Sequence, residues 1–397
     1  MRSKIISFLK KHPKLLAFLW ATMSVLLKIW SVFLPINKKR IVFASFGGRS
    51  FNDSPKALYD EICTNPFFGD WELVWAFAKP KEFELPRGRT IRIDSFSFFR
   101  ILLSSRVWVS NSGMSRGISI HRKKIIEVET WHGTPLKKIG GEENMNSLSP
   151  NRNKKGNRKL DSSTIRCAQS EYDQEIFARI FHSDKKAIDI CDLPRNDELT
   201  KYTSAKIYEI KKRIGIPLTK KVILYTPTYR EYLSNKETIE KIKENIDIKK
   251  WKTELGDNYV VIIRAHYTFT EAMRISEEGF VFDLTNYPNI NDLYAVSDLM
   301  ISDYSSTFVD YSIMSKPMLC FAYDLEEYQE KRGLYCSLEA FLPCPIDTCQ
   351  ESLIKRIKTM DYQLFSKKTK EFSEKYAPFA GKATKSVIKR IIERCQN

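Results

Sequence analysis

The chain has 397 residues, with 65 Lys or Arg against 48 Asp or Glu, a formal net charge of +17. Hydrophobic residues make up 43% and aromatic residues 12%, which excludes global disorder and suits two domains of ordinary size. Such a charge narrows the partners to nucleic acid, an anionic membrane surface or phosphorylated small molecules. Zinc-finger spacing and the aromatic ribonucleoprotein signature are both missing, so no nucleic acid is expected. The eight cysteines are scattered without a Cys-x-x-Cys pair and read as reduced thiols of a cytosolic protein.

Residues 1–36 form the first segment. Leu15 to Leu27 is apolar, Lys28 interrupts, and Ile29 to Pro35 resumes. A bilayer span needs about 20 apolar residues, and this run is shorter. Lys4, Lys10, Lys11 and Lys14 precede it; Lys28, Lys38, Lys39 and Arg40 interrupt or follow it. With Trp20 and Trp30 at headgroup level, the segment reads as a membrane-associating helix lying on an anionic leaflet.

From residue 37 strands and helices alternate. Strands are predicted at Arg40–Phe46, Trp71–Phe77, Thr90–Ile93, Arg106–Ser110 and Ile125–Glu129, with helices at Ser54–Thr64 and Phe96–Ser104. Residues 140–160 are polar and basic (Arg152, Lys154, Lys155, Arg158, Lys159) and read as a mobile loop. Short strands resume at Cys167-Ala168 and Ile188–Ile190. A second series follows at Lys221–Tyr225, Tyr259–Arg264, Phe280–Asp283, Asp298–Ile301 and Pro317–Phe321, and the tail from Gln350 is helical. This rhythm implies an α/β fold of two Rossmann-like domains, 37–192 and 193–397, facing a central cleft.

Chemistry-bearing residues gather at predicted strand ends. Thr130-Trp131-His132-Gly133-Thr134-Pro135-Leu136-Lys137 follows a strand; Gly133 permits a sharp turn, and Thr134-Pro135 reads as a helix start. His132 there suits proton abstraction beside a phosphate site. Ser302-Asp303-Tyr304-Ser305-Ser306 offers hydroxyls and free backbone N–H groups to an anion, or is a plain helix cap. Asp310, seven residues after Asp303, suits a ribose diol. His266 is a second strand-end histidine among only five. Arg264 or Arg230, also at strand ends, suits phosphate neutralisation. Arg195, in Leu193-Pro194-Arg195-Asn196-Asp197, either holds a phosphate or pairs with a carboxylate; spacing does not decide. The Phe46-Gly47-Gly48-Arg49-Ser50 turn lacks the dinucleotide fingerprint, and no Walker A sequence occurs. Neither Asp-x-Asp, His-Glu-x-x-His nor a cysteine cluster is present, so no metal and no cofactor is expected.

Taken in order, the His132 motif, Leu193–Asp197, Thr226-Pro227-Thr228-Tyr229-Arg230, Arg264-Ala265-His266, Asn291-Asp292-Leu293-Tyr294, Ser302–Ser306 and Arg332-Gly333-Leu334-Tyr335 form a set. Over about residues 40–380 the chain resembles the CDP-glycerol glycerophosphotransferases of wall teichoic acid and related capsule synthesis. The resemblance implies a GT-B architecture, with nucleotide held mainly by the C-terminal domain. It implies transfer of glycerol phosphate from CDP-glycerol to a hydroxyl of a lipid-linked, undecaprenyl-type acceptor, with release of CMP. The enzyme would work at the cytoplasmic face of the cell membrane. His132 is then the general base and His266 the second catalytic histidine. Ser305, Ser306 and Arg230 hold the pyrophosphate and Asp310 the ribose. Gly133, Thr134, Lys137, Arg195, Thr228, Arg264, Ser302 and Asp303 complete the substrate-binding set. Tyr229 stands where Trp is frequent, and Arg264-Ala265-His266-Tyr267 replaces a more usual Lys-Leu-His-Pro. A CDP-ribitol phosphotransferase or a sugar-nucleotide GT-B glycosyltransferase is the alternative on the same scaffold.

Overall fold

The structure is a computed structural model and describes residues 13–114, 124–144, 164–265 and 277–396, apart from the side chains of 13, 14, 16, 17 and 20. His266, the basic run 152–159, Lys4, Lys10 and Lys11, and the side chains of Lys14 and Trp20 therefore lie outside the described residues.

The first half comprises α1 (Pro13–Phe33), β1 (Asn37–Ala44), α2 (Asp53–Thr64), β2 (Glu72–Phe77), β3 (Arg89–Arg92), α3 (Phe96–Leu103), β4 (Ser105–Ser110), β5 (Ile126–Glu129), β6 (Thr164–Ala168), α4 (Glu171–Ile180) and β7 (Ile188–Ile190). Its strands form one parallel sheet in the order β3-β2-β1-β4-β5-β6-β7. The second half comprises α5 (Ser204–Arg213), β8 (Lys221–Thr226), α6 (Asn235–Asn245), α7 (Ile248–Leu255), β9 (Tyr259–Ile263), β10 (Val281–Asp283), α8 (Ile290–Val296), β11 (Leu299–Ser302), α9 (Thr307–Ser312), β12 (Met318–Phe321), α10 (Leu325–Lys331), α11 (Leu338–Phe341), β13 (Ile346–Asp347), α12 (Gln350–Thr359), α13 (Tyr362–Tyr376) and α14 (Ala383–Gln396). Its sheet, also parallel, runs β10-β9-β8-β11-β12-β13.

The strand sequences explain both sheets. Successive residues of a strand face opposite sides, so a sheet covered on both faces needs continuous apolar runs. In β8 and β9, Val222, Leu224, Val260 and Ile262 enter one core, while Ile223, Tyr225, Val261 and Ile263 enter another. In β1, Ile41 and Phe43 pack with Leu58 and Trp75 on one side. Val42 and Ala44 pack with Phe98 and Leu27 of α1 on the other.

Strand order reverses between β1 and β4 and again between β8 and β11, and such switch points open a crevice at the carboxyl ends of the strands. A helical connection of 3-10 type, Pro194–Lys201, joins the halves.

Two features depart from the sequence reading. α14, expected within the second domain, packs Val387, Ile388 and Ile391 against Ile41, Leu58 and Ile62 of the first. Asp197 fixes this return by accepting hydrogen bonds from the N–H groups of Ala383 (3.0 Å) and Thr384 (2.7 Å) at the start of α14. No helix starts at Thr134-Pro135. Residues 136–144 instead run along 329–335 of the second half. Lys138 N–H donates to the Gly333 carbonyl (3.0 Å), Tyr335 N–H to that of Leu136 (2.9 Å), and Asn144 Nδ2 to that of Glu330 (2.8 Å). These cross-domain hydrogen bonds take up backbone groups that a helix would have satisfied locally.

Candidate active site at the interdomain cleft

The His132 turn leaves β5 through Trp131, whose φ of 58° is rare for a residue with a side chain. Trp131 stacks on the His132 ring at 4.6 Å and packs against Phe177 and Phe181, over which Arg166 is held. Gly133 follows at φ 142°; a Cβ there would stand 2.7 Å from the Ser306 Cβ of the other domain. Only glycine permits this approach, so the turn after β5 touches the turn after β11.

The Nδ1 atom of His132 lies 2.8 Å from the Asn111 carbonyl, just beyond β4. A carbonyl only accepts, so Nδ1 carries the proton and Nε2 keeps its lone pair. His132 is open to solvent by surface area, yet protein walls it on several sides. That desolvation lowers its pKa below the ordinary 6.5; the Asn111 carbonyl and Asp53 oppose the shift, and Arg195 and Lys137 add to it. A neutral imidazole with a free Nε2 is the form a general base requires.

Behind the turn lies a buried polar network. Arg195 donates from one Nη to Asp53 (2.6 Å), at the start of α2, and from the other to Asp310 (2.5 Å), in α9. Burial opposes its charge, but Asp310 and Asp53 hold the guanidinium pKa above its usual value. Asn196 Nδ2 donates to Asp310 (2.9 Å) and to Asp192 (3.2 Å). Thr134 Oγ1 lies within reach of Gln169 (3.1 Å) and Asp173 (3.2 Å), which anchors the segment after Gly133. Asp173 and Asp192 are each pushed up to about 7, chiefly by burial.

Several sequence-predicted binding residues turn inward. Arg230 is 0% exposed; it donates to Asp303 (2.7 Å) and, through Nε and Nη2, to Asp324 (3.0 and 2.8 Å), among the rings of Tyr304, Tyr323 and Tyr328. It clamps the turn after β8 to those after β11 and β12, and has no surface left for a pyrophosphate. Asp303 also accepts the Thr228 N–H (2.9 Å), and Ser302 Oγ donates to the Thr226 carbonyl (2.8 Å). Thr228 itself is buried. Asp310 is occupied by Arg195 and Asn196 rather than turned to a ribose. Lys137 donates to Glu231 (3.1 Å), which Arg332 also pairs; burial opposes, but these two cations draw the Glu231 carboxyl down to about 2. Arg195 answers the choice left open by spacing: it pairs with carboxylates.

Ser305, Ser306 and Arg264 remain at the cleft. Ser305 and Ser306 are half-buried, and Ser305 Oγ accepts the Thr307 N–H (3.2 Å). Arg264 is half-buried and forms no ion pair among the described residues; Nη1 donates to the Leu284 carbonyl (3.2 Å), and burial pushes its pKa down. Tyr294 and the Asp283 carboxylate oppose that shift without pairing with Arg264, and a guanidinium in this position suits an anion. Sequence reasoning missed Asp53, Asn111, Gln169, Asp173 and Asp192. Asp53 leaves one local trace, an Asn-Asp-Ser-Pro run at a helix start, and Asp173 another, in the first turn of α4 three residues after Ser170; Asn111, Gln169 and Asp192 sit in strand-end loops without a motif.

The model of the CDP-Glycerol:Poly(glycerophosphate) glycerophosphotransferase family matches residues 26–393. The chain is 34% identical over 338 residues to the teichoic acid glycerol-phosphate transferase of Staphylococcus aureus, covering 82% of this chain and 85% of that protein. It is 31% identical over 354 residues to the teichoic acid poly(glycerol phosphate) polymerase of Staphylococcus epidermidis. That match covers 86% of this chain but only 48% of the polymerase, so the chain spans about half that relative's length. A solved structure of a variant of the wall teichoic acid polymerase TagF, soaked with CDPG, superposes with a TM-score of 0.81 at 27% identity, covering 100% of this chain and 98% of that one.

Proposed function

The chain belongs to the CDP-glycerol:poly(glycerophosphate) glycerophosphotransferase family, and from that premise we propose that it transfers glycerol phosphate from CDP-glycerol to a hydroxyl of a lipid-linked acceptor in teichoic acid synthesis. The observation that carries the reading is the His132 turn: Nδ1–H given to a backbone carbonyl, Nε2 free, and Gly133 against Ser306 across the cleft. In this scheme the two α/β halves work as a GT-B pair. The acceptor oxygen attacks the phosphorus that bears glycerol, its proton passes to His132 Nε2, and the bond to the cytidine-bearing phosphate breaks with CMP leaving. Arg264, Ser305 and Ser306 offset charge on the donor phosphates. His266 follows Arg264 by two residues in sequence and is assigned to the same phosphates.

The membrane-surface assignment rests on α1. Phe18, Leu26, Ile29, Val32 and Phe33 face solvent while Leu27 is buried. No helix among the described residues is long and apolar enough to cross a membrane. A helix apolar on its outward face suits a bilayer interface at the cytoplasmic leaflet. The donor is tested by supplying purified protein and acceptor with CDP-glycerol, CDP-ribitol or a UDP-sugar and measuring nucleotide release. Release from CDP-glycerol alone fits the proposal; preference for CDP-ribitol or for a UDP-sugar refutes it.

A further inference from the structure

Away from the cleft, α1 passes into β1 through Leu34-Pro35-Ile36. Behind this turn is a cavity of about 510 Å³ whose lining includes Asn37, Arg40, Arg89, Arg100 and Ser104. Arg40 Nε donates to Glu72 (2.6 Å) and its Nη1 to Ser104 Oγ (2.8 Å); Arg89 Nη2 donates to the same Glu72 (2.9 Å). One carboxylate thus answers two guanidiniums. Arg100 is exposed and forms no ion pair among the described residues. Three arginines against one glutamate leave the wall with a net charge of +2.

The cavity borders the apolar face. Phe96, the first residue of α3, is 74% exposed and stacks on Trp30 of α1 at 4.6 Å. Arg100 lies four residues on in the same helix and so shares its face with Phe96. An exposed ring and a guanidinium with no ion pair among the described residues, side by side, match an acyl chain and the phosphate above it.

Position decides between possible lipids. The cavity sits at the amino ends of β1 and β3, whereas His132 follows the carboxyl end of β5 in the same parallel sheet. β1 has eight residues, and at about 3.3 Å per residue the two ends of the sheet lie roughly 25 Å apart. The cavity is therefore remote from the reacting hydroxyl.

We propose that this cavity is a headgroup site for an anionic phospholipid of the bilayer, its phosphate against Arg100 with Arg40 and Arg89 behind, its chains along α1 and Phe96. The inference rests on the membrane-surface assignment of α1 and adds to it a defined lipid chemistry and residues.

Co-sedimentation of the full chain with phosphatidylcholine vesicles, with and without phosphatidylglycerol, tests it. Arg100→Glu is expected to weaken binding to the phosphatidylglycerol vesicles about tenfold and to leave binding to phosphatidylcholine alone unchanged. Lys367→Glu, an equal charge change on an exposed residue of α13, is expected to cost less than about twofold, since a remote charge is screened. Equal losses in the two variants would overturn the headgroup site while leaving membrane attachment intact. Failure of the unaltered chain to bind either vesicle would overturn the membrane reading itself. Arg100→Glu should retain CMP release in solution, which separates lipid binding from catalysis.

Discussion

His132 and Arg230 each follow a parallel strand by a few residues, His132 after Glu129 of β5 and Arg230 after Thr226 of β8. In sequence both look like strand-end residues poised over a ligand. In the fold one opens into the cleft and the other is sealed inside its own domain. Local partners make the difference. The Asn111 carbonyl satisfies one nitrogen of His132 and leaves the second without a hydrogen-bond partner among the described residues. Arg230 meets two carboxylates, Asp303 and Asp324, plus the Thr228 carbonyl, which use its donors from both sides. The carboxyl edge of a parallel sheet therefore brings backbone to a ligand site, while side-chain direction follows from where neighbouring charges lie.

Substitution separates the two roles. His132→Ala should lower CMP release by about a thousandfold, the scale of a lost general base, with an unchanged thermal melt. A melt that collapses in parallel would make His132 structural. Arg230→Ala should do the reverse, costing about 3–5 kcal/mol in a urea titration because it leaves buried carboxylates unpaired. If that variant folds normally and only KM for the donor rises, Arg230 binds substrate after all. Gly133→Ala tests the contact between the halves. A methyl group there must displace Ser306 and take an unfavourable φ, so stability should fall by about 1–3 kcal/mol and kcat should drop further than that loss explains. Equal kcat in the variant would mean that the Gly133–Ser306 approach is not needed for turnover.

The smallest effect concerns pH. Asp173 is held at about 7 by burial, whereas in the unfolded chain it releases its proton near pH 4. Its contribution to stability is therefore present in full below about pH 4 and is lost as pH rises towards 7. Asp173→Asn should reduce the slope of stability against pH in that window, measured by denaturant titration at several pH values. An unaltered slope would show that Asp173 is ionised in the fold.

Much of the fold was legible because both sheets are parallel and buried, which forces continuous apolar strands such as Lys221–Thr226 and Tyr259–Ile263. What local pattern could not carry was long-range pairing. Thr134-Pro135 has the residues of a helix start, but Lys138 and Asn144 find partners at Gly333 and Glu330, nearly two hundred positions on. The basic, amphipathic α14 reads as a tail of the second domain, yet its apolar side meets α2 and β1. The candidate site was half legible. Strand ends point to the turn carrying His132 and Gly133 and to Ser305, Ser306 and Arg264, and the fold leaves these residues at the carboxyl ends of β5, β11 and β9. Asp310, Lys137 and Arg230 read as substrate-binding because a sequence does not show that Arg195, Glu231, Asp303 and Asp324 reach them first.

The central claim is that a neutral His132, protonated on Nδ1, removes the proton from the acceptor hydroxyl. The dependence of CMP release on pH tests it most directly. Because desolvation depresses the His132 pKa, kcat/KM should hold steady down to about pH 6.5, the ordinary histidine value, and fall only below it. The residual activity of His132→Ala should lack that acid limb. An acid limb that persists unchanged in His132→Ala would assign the proton transfer to another group.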